Sequence, residues 1–232
     1  MGALRLLLTC EHGGNRIPRE YAHLFRAAAR ELASHRGWDP GAQDVARRLA
    51  RHFGLPLRSV PWSRLLVEPN RSPTNPRIWS EFTRDLSADE RERLLARHWW
   101  PHRRDVESAV ARSVARGSRV AHVAVHSFTP ELSGERRNAD VGLLYDPARA
   151  GERALCTRWQ QVLRELDPGL RVRRNYPYRG AADGLTTWLR RRFPDRSYAG
   201  VELELNQALV GRTDRARVAS LLATSLERLL HP

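Results

Sequence analysis

The sequence predicts an α/β fold in three layers, a mostly parallel sheet covered by helices on both faces. Three observations carry this expectation. Apolar runs of strand length alternate with segments of helical periodicity, the pattern of strands joined by helical crossovers. The 232 residues are 41% hydrophobic and include seven Trp, enough to bury a sizeable core and too apolar for a disordered chain. Several strand candidates end in polar residues capable of chemistry, where an open α/β sheet places its site.

Residues 4–9, Leu-Arg-Leu-Leu-Leu-Thr, are too short and too apolar for a surface helix and read as a buried strand. Helical periodicity follows over about 20–34 and again over about 41–53, where Val45, Ala46, Leu49, Ala50 and Phe53 share a face. Residues 57–60 are a short strand. Ser87 with Glu90 three positions on forms a capping box that opens a helical pattern reaching about 115. Pro101 falls inside that pattern and, lacking an N–H, is expected to kink or break it. The β-branched segment 119–126 reads as a strand and 141–145 as a weaker one. Then come a helix over 150–166, a strand over 171–174, a helix over 184–192, a strand over 200–205 and a closing helix over 214–230. No repeat, linker or low-complexity segment interrupts the order, so residues 1–232 are expected to form one domain.

No run approaches the roughly 18–20 apolar residues of a membrane span. The apolar start is followed by Glu11-His12 with no small-residue cleavage site, so no signal peptide is expected. Leu6 breaks the myristoylation pattern. Two cysteines, Cys10 and Cys156, make no disulfide framework, which fits the cytoplasm. The 40 basic residues are all Arg and exceed the 26 acidic ones by 14. One reading of this excess is an anionic partner such as nucleic acid. The other is a coding bias that replaces Lys throughout. Arg47-Arg48, Arg103-Arg104, Arg136-Arg137 and Arg190-Arg191-Arg192 are dispersed rather than gathered into a tail, which favours the bias, and no nucleic-acid partner is expected.

Three strands end in reactive groups. The first runs into Glu11-His12-Gly13-Gly14-Asn15, the middle one into His126-Ser127, and the last carries Glu202 and Glu204, two apart and so on one face. His122 lies four residues before His126, but the intervening Val-Ala-Val favours a strand, and His122 reads as structural. His98 and His102 are a helical turn apart and lack a third ligand, so a partly exposed helix face accounts for them. Asp39, just before a helix, is either an N-cap or the oxygen ligand that joins two imidazoles in a catalytic zinc set. Asn70-Arg71 is a turn whose planar guanidinium suits bidentate capture of a carboxylate.

Taken in order, seven segments resemble the N-formylglutamate amidohydrolase family. They are Cys-Glu-His-Gly-Gly-Asn-Arg-Ile-Pro (10–18), Trp-Asp-Pro-Gly-Ala (38–42), Ser-Arg-Leu-Leu-Val-Glu-Pro-Asn-Arg (63–71), Val-His-Ser-Phe (125–128), Val-Gly-Leu-Leu-Tyr (141–145), Asn-Tyr-Pro-Tyr (175–178) and Glu-Leu-Asn-Gln-Ala-Leu (204–209). The resemblance runs from residue 9 to about 210. It implies a phosphorylase/hydrolase-like α/β sandwich around a mixed sheet, shared with zinc carboxypeptidase-like and aspartoacylase-like hydrolases. It also implies that His12 and His126 ligate zinc, that Glu204 is the general base, and that Asn70 and Arg71 grip a substrate carboxylate. Tyr178 and Glu202 join the substrate site, and Arg64 holds the carboxylate or stabilises the oxyanion. For the third ligand, carboxypeptidases place a Glu where this chain has Asn15. Asp39 is similar to a carboxylate of the zinc muramyl amidases and is the expected ligand, with Glu11 and Asn15 as alternatives. The chain departs from the family in having Glu-Pro-Asn-Arg for Asp-Leu-Asn-Arg, Pro40 inside the Trp-Asp-x-Gly-Ala motif, Asn75-Pro76-Arg77-Ile78-Trp79 for a Pro-Gly-Asn loop, and Arg190-Arg191-Arg192 where a His is usual.

The resulting expectation is a zinc-dependent amidohydrolase that cleaves the amide C–N bond of a small, carboxylate-bearing N-acyl amino acid or peptide. A peptidase or peptide-modifying hydrolase of the same fold, a relative that has lost catalysis, and an Arg-rich nucleic-acid-binding protein are the alternatives.

Overall fold

The computed structural model describes residues 4–211 and 214–230. Its strands are β1 (Leu4–Cys10), β2 (Leu57–Ser59), β3 (Arg119–Phe128), β4 (Glu131–Leu132), β5 (Glu135–Arg136), β6 (Val141–Leu144), β7 (Val172–Arg174) and β8 (Tyr198–Asn206). Its helices are α1 (Ala29–Ala33), α2 (Ala42–His52), α3 (Ala88–Leu94), α4 (Trp100–Ala115), α5 (Ala150–Leu166), α6 (Leu185–Arg190) and α7 (Arg215–Leu230).

Six strands make one sheet in the order β2-β1-β3-β8-β6-β7. The first four run parallel; β6 lies antiparallel to β8 and parallel to β7, so the sheet is mixed but mostly parallel, as the sequence predicts. β4 and β5 form a separate two-stranded hairpin, which the periodicity does not anticipate. The central strands β3 and β8 are buried along nearly their whole length, which is why they are apolar at most positions.

The strand period of two divides the residues between the layers. Leu8, Val123, Val125, Val201, Leu203 and Leu205 pack on one face beneath α2, α5 and α7. On the other face Leu7, Val120 and Tyr198 meet Val106 and Val110 of α4 and Leu185 and Leu189 of α6. A third cluster around Trp99, with Phe25, Leu66, Ile78 and Leu94, supports the irregular segments beyond the strand ends.

Two expectations are corrected. The helix predicted over 20–34 is a 3₁₀ turn, Arg19–Phe25, followed by the five-residue α1. Phe25 and Ala28 are the buried positions, and Ala28 N–H donates to Phe25 O at 3.0 Å; this i to i+3 spacing suits 3₁₀ rather than α geometry. Pro101 does not break its helix. A π turn, Leu95–Trp99, precedes it, with Trp100 N–H donating to Leu95 O. The wider turn carries the chain past a residue with no N–H to give. The Ser87–Glu90 capping box is present at the head of α3. Among the described residues no helix is long and apolar enough to cross a membrane.

Candidate active site

The carboxyl ends of β1, β3 and β8 meet at one end of the sheet. β1 delivers Glu11 and His12 and then turns at Gly13-Gly14. A Cβ on Gly14 would lie 2.2 Å from Pro61 O, so only glycine lets the turn pack against the segment after β2. β3 ends in His126-Ser127. In the ladder His126 pairs with Glu204 and Ala124 with Glu202, so the two carboxylates of β8 stand beside the imidazole on one face.

Asp39 reaches the site from the loop before α2. Gly41, at φ 84° in the left-handed region, is the N-cap residue of that helix, and no side chain caps it. The N-cap reading of Asp39 therefore falls. Its Oδ2 instead accepts from Ser127 N–H at 3.1 Å and lies 3.0 Å from His126 Nδ1 and 3.3 Å from His12 Nδ1. The two Nδ1 atoms are 3.1 Å apart. Among the described residues His12, Asp39 and His126 are the group of His, Cys, Asp or Glu that could hold a metal ion, and all three are buried.

The donor set fits a small divalent cation. Ligands at about 2.0–2.1 Å from tetrahedral zinc are about 3.3 Å apart, close to the separations observed. The outer nitrogens face carboxylates: His126 Nε2 lies 3.1 Å from Glu11 Oε2, and His12 Nε2 contacts Glu68 Oε1 directly. The local potential is negative. Burial and Arg64 pull His12 down, yet Glu68 and Asp39 overcome them and raise it above the usual histidine value. Burial likewise opposes charge on His126, and Asp39 and Glu11 raise it well above that value. Burial would raise Asp39, but His12 and His126 hold it well below the carboxylate range. A site that stabilises buried imidazolium stabilises a metal cation by the same charges.

Glu204 is in the opposite situation. Burial pushes it up to about 7, with Asp39 and Glu202 adding to the shift and His126 opposing it. Its Oε2 has no hydrogen-bond partner among the described residues. Glu202 is anchored instead, its Oε1 accepting from Asn70 Nδ2 at 3.3 Å and Thr186 Oγ1 at 3.2 Å.

His12, Asp39, Arg64, Asn70, Arg71, His126, Tyr178, Glu202 and Glu204 all line one cleft of about 430 Å³. A wider groove of about 730 Å³ along α5 holds none of them. Within the cleft some groups are already engaged. Arg64 donates through Nε to Glu68 Oε2 at 2.7 Å, and its Nη1 lies 3.5 Å from Asp39 Oδ1. Asn70 spans Glu202 and the head of α6, its Oδ1 accepting from Leu185 N–H at 2.7 Å. Arg71 donates from Nη1 to Asp183 O at 2.8 Å. Tyr178 is 45% exposed at the mouth, its ring 5.0 Å from the Arg137 guanidinium.

The two alternative third ligands lie elsewhere. Asn15 Nδ2 donates to Leu32 O at 3.0 Å, and Glu11 lies behind His126. His122 is structural, bonded to Thr9 Oγ1 at 2.8 Å and Tyr198 OH at 2.7 Å, and burial lowers it to about 4. His102 is not on an open helix face: it is largely buried and its Nε2 lies 3.2 Å from Glu11 Oε1. Sequence reasoning missed Glu68 as a site residue, although it heads the Glu-Pro-Asn-Arg motif. It also missed Asp183, whose carboxylate accepts from Ser72 N–H at 2.9 Å and Asn75 Nδ2 at 2.7 Å.

The family model for N-formylglutamate amidohydrolase matches residues 4–210. No curated protein matches the chain. Among solved structures, a gene product from Agrobacterium tumefaciens is 30% identical, with a TM-score of 0.80 over 99% of this chain and 90% of that one. The N-formylglutamate amidohydrolase from Ralstonia eutropha JMP134 shares the fold at 21% identity, with a TM-score of 0.78 over 99% of this chain and 94% of its own.

Proposed function

The chain belongs to the N-formylglutamate amidohydrolase family, hydrolases of amide bonds, and from that premise we propose that it is a zinc-dependent enzyme acting on N-acyl amino acids that bear a carboxylate. The observation that carries the reading is the convergence of two Nδ1 atoms and one carboxylate oxygen beside the raised, unpartnered Glu204. His12, Asp39 and His126 would hold the zinc, which would supply an acidified water and polarisation of the acyl carbonyl.

Glu204 takes the proton of the attacking water at its free Oε2 and returns it to the departing amine nitrogen. A carboxylate near pH 7 is matched to both transfers. Arg71, with donors beyond the one given to Asp183, receives the substrate carboxylate, and Tyr178 closes the mouth of the cleft. Arg64 and Asn70 act through what they hold: Arg64 secures Glu68 and Asp39, and Asn70 secures Glu202 and α6. The enzyme works as one catalytic domain in the cytoplasm, a reading supported by two buried, unpaired cysteines.

The test compares Glu204→Gln with Glu202→Gln at matched zinc content, using N-formylglutamate and other N-acyl amino acids. Glu204→Gln is expected to lower kcat about 10²–10⁴-fold with zinc retained, because Gln keeps the shape but accepts no proton. Glu202→Gln is expected to cost much less. The reverse ranking would move the general base to Glu202, and no hydrolysis of any N-acyl amino acid by the zinc-loaded protein would remove the substrate class.

A further inference from the structure

Both imidazoles of the proposed metal set turn the same way, Nδ1 inward and Nε2 outward, although they come from different strands. A neutral imidazole carries one N–H and one lone pair, and the partner of one nitrogen decides the state of the other. A carboxylate accepts and does not donate, so a carboxylate at Nε2 keeps the proton there and leaves the Nδ1 lone pair for a metal.

The two backing carboxylates are themselves held. Glu11 is 0% exposed, and its Oε1 is hydrogen-bonded to His102 Nε2 at 3.2 Å. Its Oε2 lies 3.1 Å from His126 Nε2 as an ion-pair contact without hydrogen-bond alignment, and neither of those two atoms has another hydrogen-bond partner among the described residues. Glu68 contacts His12 Nε2 and accepts from Arg64 Nε at 2.7 Å and from Asn70 N–H at 2.9 Å. Each arrangement is therefore a ligand imidazole, a buried carboxylate and a second nitrogen donor, which is distant in sequence for Glu11 (His102) and four residues away for Glu68 (Arg64). Held from behind, neither carboxylate can swing into the triangle. His102 belongs to α4, one helical turn beyond the π turn at Leu95–Trp99, and it also lines a second cleft of about 400 Å³ between β2 and α4.

We infer that Glu11 with His102, and Glu68 with Arg64, are positioning pairs that fix Nδ1 of His126 and of His12 as the metal-facing nitrogens. The inference rests on the proposed metal set at His12, Asp39 and His126. It makes α4 a structural part of the metal site, although none of its residues faces the triangle.

Titration of the purified protein with Zn²⁺, and with Co²⁺ read by its visible absorption, tests this. Glu11→Gln and Glu68→Gln are each expected to weaken metal affinity about 10–100-fold and to change the Co²⁺ spectrum. His102→Leu should match Glu11→Gln, whereas His102→Gln, which keeps an N–H donor toward Glu11, should lose less. Thermal unfolding of the metal-free variants separates lost binding from lost fold; if Glu11→Gln does not fold, Glu68→Gln and His102→Leu decide. Wild-type affinity and spectrum in the folded variants overturn the positioning role alone. A wild-type protein that binds neither metal overturns the proposed function instead.

Discussion

Glu204 shows how one residue is tuned against the stability of the fold that holds it. Its ordinary carboxyl value of 4.5 rises to about 7 on burial, so between those pH values the folded state holds a proton that the unfolded chain releases. Stability therefore falls as pH rises through this window, and the full cost, on the order of 3 kcal/mol, is present above about pH 7. Glu204→Gln removes a charge that burial opposes. In the metal-free protein the variant is expected to be close to wild type in stability near pH 4.5 and more stable near pH 8. Urea denaturation across that range checks this, and a difference that does not change with pH would show that Glu204 carries no such cost. The residue proposed to move the proton is thus also one that weakens the fold at the working pH.

At the scale of elements, the cleft wall is held by a buried ion pair. Glu152 of α5 is fully buried and accepts from Arg190 Nε at 2.9 Å, from Asp146 N–H at 2.9 Å and from Gly200 N–H at 3.0 Å. Arg190, near the end of α6, also donates to Gly180 O at 2.5 Å and Gly200 O at 2.9 Å. The pair joins α5, α6, β8 and the loop before α6, and so sets where Leu185 N–H meets Asn70. Of the Arg190-Arg191-Arg192 run, Arg190 is thus an interior residue. Glu152→Gln leaves the guanidinium buried beside a neutral amide and is expected to cost about 3–5 kcal/mol. Chemical denaturation measures it; a loss below about 0.5 kcal/mol would mean that the wall stands without the pair.

Across the whole sequence the 14 positive charges in excess are dispersed rather than gathered into one run. Some of these guanidinium groups lie against aromatic rings. Arg103 lies 4.6 Å from the Trp99 ring centroid, Arg104 5.4 Å from Trp100, Arg192 3.6 Å from Trp188 and Arg91 5.3 Å from Trp79. A planar guanidinium stacks on indole as an ammonium does not, so an Arg-only chain with seven Trp uses its charge as packing surface. Binding to duplex DNA or RNA is accordingly expected to be absent at ~0.15 M salt in a mobility-shift or anisotropy titration. Tight binding with a salt slope of several counterions would reveal a footprint instead.

The α/β class, most strand positions and the ends where chemistry gathers were legible because periodicity and strand termini are local properties of a chain. His12, His126 and Glu204 stand at or near such termini, Asp39 just before a helix, and all four could be named from their motifs. Partners more distant in sequence could not. Only the tertiary structure showed that Asp39, rather than Glu11 or Asn15, has an oxygen beside two Nδ1 atoms whose histidines are 114 residues apart in sequence. It also showed that Asn70 and Arg64, which line the cleft, are bonded to Glu202 and Glu68, and it brought Glu68 and His102 behind the imidazoles. The 3₁₀ turn at 19–25 escaped for the same reason: its geometry follows the distant Trp99 cluster that Phe25 and Ala28 pack toward rather than its own propensity. Sequence determines which groups a segment offers at its ends; the packing of distant segments decides which atoms of those groups remain free to react.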